Sequence, residues 1–414
     1  MDIKEKADYC LNCKLKPCSI KGCPLNNDIP GFISKIKEEK YEDAFRILEK
    51  TTVLPAICGR ICPHMRQCQG NCIRGIKGEP VNIGDLEAFI GDMAIKNNWK
   101  FLKTTSNLNK NIAIIGGGPA GLTAASFLRK KGYNVTIYEK YNKLGGILSH
   151  GIPEFRLDKK LLSSTIEQIL ELGINVEYKM ELGVNLDINS LKSKYDAILI
   201  CFGANISAKM NIECENLEGV YGGNELLENN NHPDYKDKIV IVNGGGNTAM
   251  DTARTIKRLG AKKVFVVYRR AKEQMPAEQK EINDAINEGV EFLFQNNIIK
   301  IIGKEKVEGI ECVKTDLIKA NGESRLKPVN IDGSNYNLKA DYVVMAVGSK
   351  PDERLLHNLN LELNKWGYIN KNENNQTSDK KIFCAGDIAG EISTVAWAAR
   401  SGRNAAENID KFLK

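Results

Sequence analysis

Asn111-Ile112-Ala113-Ile114-Ile115-Gly116-Gly117-Gly118-Pro119-Ala120-Gly121 is the stretch on which the fold turns. Ile112–Ile115 is an unbroken apolar run and predicts a buried strand. The glycines follow at once in the spacing G-x-G-x-x-G, and a helix is expected from the loop to about Lys131. A strand over Asn134–Tyr138 completes a βαβ unit. The glycines permit a tight turn and let the backbone approach a pyrophosphate, which the helix N-terminus favours electrostatically. Glu139 ends the second strand, 23 residues after Gly116, where a carboxylate can accept a hydrogen bond from an adenosine ribose hydroxyl. Gly116, Gly118, Pro119, Ala120, Gly121 and Glu139 are therefore candidate dinucleotide contacts.

The pattern recurs about 130 residues later. The strand Ile239–Val242 leads to Gly244-Gly245-Gly246-Asn247-Thr248-Ala249, a G-x-G-x-x-A variant, then a helix over Thr248–Leu259 and a strand over Lys263–Tyr268. Arg269 and Arg270 stand where an NAD site carries an acid. Guanidinium groups there match a 2′-phosphate in charge and bidentate geometry, which favours NADP. Gly244, Gly246, Asn247, Thr248, Arg269 and Arg270 are the second set of candidates. Near the C-terminus the strand-like Ile382-Phe383-Cys384 runs into Ala385-Gly386-Asp387, whose carboxylate could meet the ribityl–phosphate part of a flavin.

Before residue 111 the character is different. Eight of the twelve cysteines lie there: Cys10, Cys13, Cys18 and Cys23, then Cys58, Cys62, Cys68 and Cys72. The spacings are C-x2-C-x4-C-x4-C-P and C-x3-C-P-x4-C-x3-C. The Cys-Pro steps resemble those of bacterial ferredoxin motifs, and four thiolates hold one [4Fe–4S] cube, so the number suits two clusters. Structural zinc is the alternative, but zinc sites usually show paired C-x2–4-C knuckles, and this region has one C-x2-C. Spacing alone does not assign ligands to clusters. Between the cysteines, Ile29–Glu39 and Tyr41–Lys50 read as short helices, and residues 101–110 as a polar linker. His64 reads as a surface residue, and the Asn-rich stretches 228–231 and 372–375 as surface loops. Cys201, Cys214, Cys312 and Cys384 are scattered and form no redox pair beside a flavin.

At 414 residues, with 42% hydrophobic and 27% charged residues, the chain is expected to form two or three globular domains. It has no run of 18 apolar residues and no apolar core of a signal peptide, so a cytoplasmic location without membrane partners is expected. The net charge of +7 is spread along the chain rather than clustered, which speaks against nucleic-acid binding.

These stretches together resemble the glutamate synthase small (β) subunit family. That family includes the flavin half of dihydropyrimidine dehydrogenase and the large subunit of NADH-dependent ferredoxin:NADP oxidoreductase. Besides the motifs above, the likeness is carried by Ile29-Pro30-Gly31-Phe32, Cys58-Gly59-Arg60-Ile61-Cys62-Pro63, Gly145-Gly146, Gly151-Ile152-Pro153-Glu154-Phe155-Arg156-Leu157 and Met275-Pro276-Ala277. The resemblance implies an α/β fold of two Rossmann-like dinucleotide-binding domains, one inserted in the other, after a small α-helical iron–sulfur domain. The bounds would be 1–105 for the two clusters, 106–235 and 343–414 for the FAD domain, and 236–342 for the NADPH domain. Val343–Gly348 would return the chain to the FAD domain, with Gly348 at the junction. Gly145, Gly146, Asp387, Thr394 and Val395 would lie along the flavin. One cluster would use Cys23, Cys62, Cys68 and Cys72. The other would use Cys10, Cys13, Cys18 and Glu87, which leaves Cys58 spare.

The reading is an electron-input oxidoreductase without acid–base residues. NADPH reduces FAD, and electrons leave through the [4Fe–4S] clusters to a partner subunit, a glutamate synthase large subunit or its analogue. Met1-Asp2 offers no nucleophilic N-terminal cysteine for a glutaminase. The flavin subunit of a dihydropyrimidine dehydrogenase and that of a bifurcating ferredoxin:NADP transhydrogenase are rivals. A non-catalytic zinc- and nucleotide-binding module is the rival of another class.

Overall fold

The structure is a computed structural model that describes residues 2–319 and 326–414. The chain forms two compact units. One comprises Met1–Ser149, Glu154–Ala204 and Pro351–Lys414; the other comprises His150–Pro153 and Asn205–Lys350.

In the first unit five parallel strands lie in the order Ile382–Cys384, Ala197–Ile200, Asn111–Ile115, Asn134–Glu139, Asn175–Tyr178. The strand Asn111–Ile115 is buried beyond its first residue, as its apolar run requires. The helix Pro119–Lys131 crosses from it to Asn134–Glu139 and ends at Gly132, whose φ of +100° suits a glycine helix stop. A 19-residue C-terminal helix, Val395–Leu413, packs along that crossover helix. Gly402 allows the contact, since a Cβ there would fall 2.1 Å from the carbonyl oxygen of Ala120.

The cysteine region is helical, with Ile29–Lys37, Tyr41–Leu48, Pro55–Ile61 and Ile83–Lys96 as its main elements. It belongs to the same compact unit as the first sheet rather than standing apart over residues 1–105. The stretch 101–110 is not wholly a linker: Phe101 is buried against Phe45, and Leu108 N–H donates to the Gly132 carbonyl. In the Asn-rich stretch 372–375, Asn375 is buried and its amide donates to the Cys384 carbonyl at 3.2 Å.

The second unit has its own parallel sheet, ordered Val220–Gly222, Tyr342–Met345, Ile239–Asn243, Lys263–Tyr268, Glu291–Phe294. A separate antiparallel sheet of Asn296–Gly303, Val307–Ile318, Lys327–Asn330 and Tyr336–Lys339 packs against it, Ile298, Ile301 and Ile310 meeting Ile241, Val267 and Val343 in one core. The strand expected to return the chain to the first domain does not do so. Tyr342–Met345 pairs with Ile239–Asn243 on one side and Val220–Gly222 on the other. The second unit therefore begins earlier and ends later than residues 236–342. Its neck is the antiparallel pair Ile206–Ser207 and Ser349–Lys350.

Candidate functional site

The first glycine loop sits at the C-terminal edge of its parallel sheet, where open α/β sheets bind ligands. Gly116 has φ +105°, and a Cβ there would meet Phe202 Cα at 2.7 Å. Gly121 lies so close to the loop that its Cβ would be 2.0 Å from the Gly116 carbonyl oxygen. Both are required by the fold. Gly118 is different: the nearest atom to a Cβ there is Gly146 Cα at 3.8 Å, and its φ of −76° suits any residue. It precedes Pro119, the first residue of the helix, and no side chain caps that helix end. Unpartnered helix N–H groups beside an open backbone surface fit a pyrophosphate. Gly146, with φ +53°, packs directly on Gly118, and Gly145 N–H donates to the Gly117 carbonyl at 2.8 Å.

Glu139 is buried beneath this loop. Its two carboxylate oxygens accept the Gly117 N–H at 2.8 Å and the Tyr141 N–H at 3.0 Å, and burial raises its pKa. An ionised carboxylate has about four acceptor positions, so capacity remains for a ribose hydroxyl. On the neighbouring strand end, Gly386 has φ +75° and lies against Ala120. Asp387 begins the next turn, and burial pushes its carboxyl up to about 6, with Ser393 opposing the shift. Thr394 caps the C-terminal helix, accepting the Trp397 N–H at 3.4 Å, and Val395 is that helix's first residue. Asp387, Thr394 and Val395 thus follow Gly386, which adjoins the loop. Ser401 and Gly402 were not singled out in the sequence. Ser401 accepts the Gly386 N–H at 3.1 Å, and an interior glycine in a long amphipathic helix was the available signal. Cys201 is buried and donates to the Gly116 carbonyl at 3.3 Å, so it braces the loop.

The second loop repeats the geometry in its own unit. A Cβ on Gly244, which has φ +147°, would fall 2.2 Å from the Ala346 carbonyl oxygen. One on Gly246 would find only Pro276 Cγ, at 4.0 Å. Asn247 starts the helix Asn247–Arg258, and its side-chain oxygen accepts the Glu278 N–H at 3.0 Å. Thr248 follows it and lends its carbonyl to the Thr252 hydroxyl. Arg269 and Arg270 follow the strand Lys263–Tyr268, and their carbonyls are pinned by Thr315 and Gln295. Arg269 is exposed, while Arg270 is half-buried and spends Nε on the Leu326 carbonyl at 3.1 Å. Gly348 lies at the neck of the unit, where its carbonyl accepts the Ala208 N–H, rather than in either loop.

The cysteines fall into two groups, and the grouping corrects the implied ligand sets. Cys10, Cys13, Cys18 and Cys72 line one cavity. Cys23, Cys62 and Cys68 instead gather around Glu87: burial raises the Cys23 and Cys68 thiols, the Cys58 contact and burial raise Cys62, and Glu87 adds to all three shifts. Cys72 and Glu87 have therefore exchanged places relative to expectation. The reason is local. Tight turns at Gln69–Asn71 and Ile73–Ile76 lead Cys72 back to Cys10, fixed by Arg74, which donates to the Tyr9 carbonyl at 2.9 Å and covers the Tyr9 ring. Glu87 rides on Ile83–Lys96, which packs on Pro55–Ile61, the helix that runs into Cys62. Glycines make that packing close: a Cβ on Gly59 or Gly91 would fall within 2.4 Å of Ala88 N or Ala56 N.

Glu87 is 5% exposed, and burial pushes its carboxyl up to about 8. Among the described residues its hydrogen-bond partner is the Asn27 amide, at 3.1 Å. A buried carboxylate with one neutral partner, facing three thiols, is costly without a cation. Both donor sets thus fit four-iron cubes, in which each donor binds its own iron. No three His, Cys, Asp or Glu side chains among the described residues converge on one point as a single ion would need. Cys58 is buried and its thiol neighbours Cys62. His64 is not a free surface residue; its ring lies against Gly84 and 3.1 Å from the Cys58 carbonyl, and burial lowers its pKa.

Two family descriptions match the chain: pyridine nucleotide-disulphide oxidoreductase over residues 110–402, and dihydropyrimidine dehydrogenase domain II, 4Fe-4S cluster, over residues 1–99. The glutamate synthase [NADPH] small chain of Azospirillum brasilense is 34% identical over 99% of this chain and 89% of its own length. The NADP(+)-dependent formate dehydrogenase subunit beta of Moorella thermoacetica is 35% identical over 96% of this chain and 60% of its own length. In fold, the chain resembles Mycobacterium tuberculosis FprA in complex with NADPH, with TM-score 0.65 and 20% identity over 73% of this chain and 84% of the other. The chain belongs to the glutamate synthase small-chain family, with a pyridine nucleotide-disulphide oxidoreductase fold behind a 4Fe-4S domain.

Proposed function

We propose that this member of the glutamate synthase small-chain family takes electrons from NADPH and delivers them, through FAD and two [4Fe–4S] clusters, to a partner subunit. The observation that carries the reading is the pair of four-donor groups, Cys10/Cys13/Cys18/Cys72 and Cys23/Cys62/Cys68/Glu87, folded into one unit with a glycine loop open to a pyrophosphate. FAD, when bound, accepts two electrons as hydride and releases them singly, and clusters carry one electron at a time.

The chain's own residues bind and orient. Gly118, Ala120 and Gly121 offer N–H groups to the FAD pyrophosphate, Pro119 sets the first turn of that helix, Glu139 accepts from the adenosine ribose, and Gly145, Gly146, Asp387, Thr394 and Val395 line the rest. Gly244, Gly246, Asn247 and Thr248 hold the pyrophosphate of NADPH, and Arg269 and Arg270 hold its 2′-phosphate. No proton needs to be moved by a side chain, and the thiol nearest the first loop, Cys201, is occupied with the Gly116 carbonyl.

The partner is a glutamate synthase large subunit. Leu11, Leu15, Ile20 and Ile76 are all more than half exposed near Cys10, Cys13, Cys18 and Cys72 in sequence, an apolar surface suited to a partner. No helix among the described residues is long and apolar enough to cross a membrane, and a cytoplasmic setting suits thiolate-bound clusters.

Anaerobic titration of the purified protein with NADPH tests this. Flavin absorbance should bleach, and two iron–sulfur signals should appear in electron paramagnetic resonance (EPR). Protein that contains zinc in place of iron, or a flavin that NADPH leaves oxidised, overturns the proposal.

A further inference from the structure

The C-terminal helix Val395–Leu413 packs on the helix that follows the first glycine loop and sends two arginines into the cysteine region. Arg400 donates to the Pro24 carbonyl at 3.1 Å. Arg403, one turn on, donates through one terminal nitrogen to the Leu25 carbonyl at 2.9 Å and the Thr51 carbonyl at 2.8 Å. Pro24 and Leu25 directly follow Cys23. Thr51 in turn donates its hydroxyl to Asn27 at 2.7 Å, and Asn27 donates its amide to Glu87 at 3.1 Å. One guanidinium therefore holds both the loop that carries a thiolate of the Glu87 group and the relay that orients Glu87.

Its charge matters as much as its grip. Arg403 is half-buried, and an arginine keeps its proton even when burial lowers its pKa. Glu407, Arg400 and, least, Cys23 act electrostatically on it. The other cysteine group has cations of its own: Lys37, whose ammonium donates to the Cys10 carbonyl at 2.8 Å, and Arg74, which lines the cavity of Cys10, Cys13, Cys18 and Cys72. A cube with four anionic ligands gains a further negative charge on reduction. A fixed cation in a poorly solvated place favours the reduced form.

We propose that Arg403 is a positioning residue for the Cys23/Cys62/Cys68/Glu87 cluster and raises that cluster's reduction potential. The proposal rests on the cluster reading above, and the two fail in different ways. In Arg403→Gln holoprotein, a redox-poised EPR titration should show one cluster shifted to lower potential. At a fixed potential its reduced-to-oxidised ratio should fall at least tenfold, equivalent to 59 mV for one electron. The signal lost in a Cys10→Ala variant, which belongs to the other cluster, should keep its midpoint. Unchanged midpoints at both clusters in iron-replete Arg403→Gln overturn the inference. If that variant does not retain iron, Arg403→Lys keeps the charge but cannot reproduce the two-carbonyl grip. Its Glu87-group signal should change in line shape, and a wild-type line shape and midpoint would equally overturn it. A wild-type protein with no iron–sulfur signal sinks the cluster reading itself, not this inference alone.

Discussion

Replacing Gly246 by Ala separates what the fold needs from what a nucleotide needs. The backbone there is extended, with φ −91° and ψ 177°, so alanine fits without strain. The added methyl would lie 4.0 Å from Pro276 Cγ and touch nothing else. Gly246 precedes the helix Asn247–Arg258 at its capping position, where alanine in place of glycine costs about 1 kcal/mol or less. Thermal unfolding should therefore be almost unchanged. A pyrophosphate on that helix end would meet the methyl at van der Waals contact or closer. Overfilling a tight contact costs about 1–3 kcal/mol, or roughly 5- to 150-fold in affinity. The KM for NADPH in stopped-flow reduction of the bound FAD should rise by that factor, with FAD content intact. Gly244→Ala is the contrast: φ +147° and a carbonyl oxygen 2.2 Å from the new Cβ make it a folding defect. A Gly246→Ala variant with an NADPH KM within twofold of wild type refutes the placement of the pyrophosphate. One that melts as early as Gly244→Ala shows the glycine to be structural.

The regrouped donors predict that Cys72→Ala removes the same EPR signal as Cys10→Ala, and that Glu87→Ala removes the one lost in Cys62→Ala; the opposite pairing restores the assignment implied by family resemblance. Cys58→Ala should keep both signals and full iron. Arg269→Ala with Arg270→Ala should raise the KM for NADPH at least tenfold and leave NADH nearly unaffected, since charge-assisted bonds to phosphate contribute about 1.5–3 kcal/mol each; equal losses count against the 2′-phosphate contact. In the second unit, buried Arg254 pairs with Glu281 and with Glu288, the latter at 2.8 Å. Although burial alone would raise it, the Glu288 carboxyl is held down to about 2 by Arg258 and Arg254. A depressed carboxyl pKa stabilises the fold above the unfolded value of 4.5 and loses that contribution as pH falls toward 2. About 2–3 kcal/mol should vanish over that window in wild type and little in Glu288→Gln, measured by denaturant unfolding at each pH. Arg254→Met, which takes the guanidinium from Glu281 and Asp284 while Glu288 keeps Arg258, should cost about 3–5 kcal/mol at neutral pH.

Local chemistry made much of this protein legible in its sequence. A run of apolar residues ending in Gly116-Gly117-Gly118 can hardly be anything but a strand meeting a helix, because the glycine spacing serves one tight turn. The same holds for Lys263–Tyr268, whose bounds match the structure residue for residue. The eight candidate thiols before residue 111 were likewise readable, since cysteines are counted along the chain. Which donors share a cube was not. Cys72 lies nearer in sequence to Cys68 than to Cys10, yet two tight turns and the Arg74–Tyr9 contact lead it to the cavity of Cys10, Cys13 and Cys18. Glu87 reaches Cys23, Cys62 and Cys68 only because Gly59 and Gly91 let two helices touch backbone to backbone. The strand Tyr342–Met345 carries no mark of the sheet it joins, because an apolar strand pairs wherever an edge is free, and Val220–Gly222 and Ile239–Asn243 decided it. Spacing records what a residue does within a few turns of chain. Sheet membership and ligand partnership depend on contacts between distant segments, and those exist only once the helices and sheets have packed.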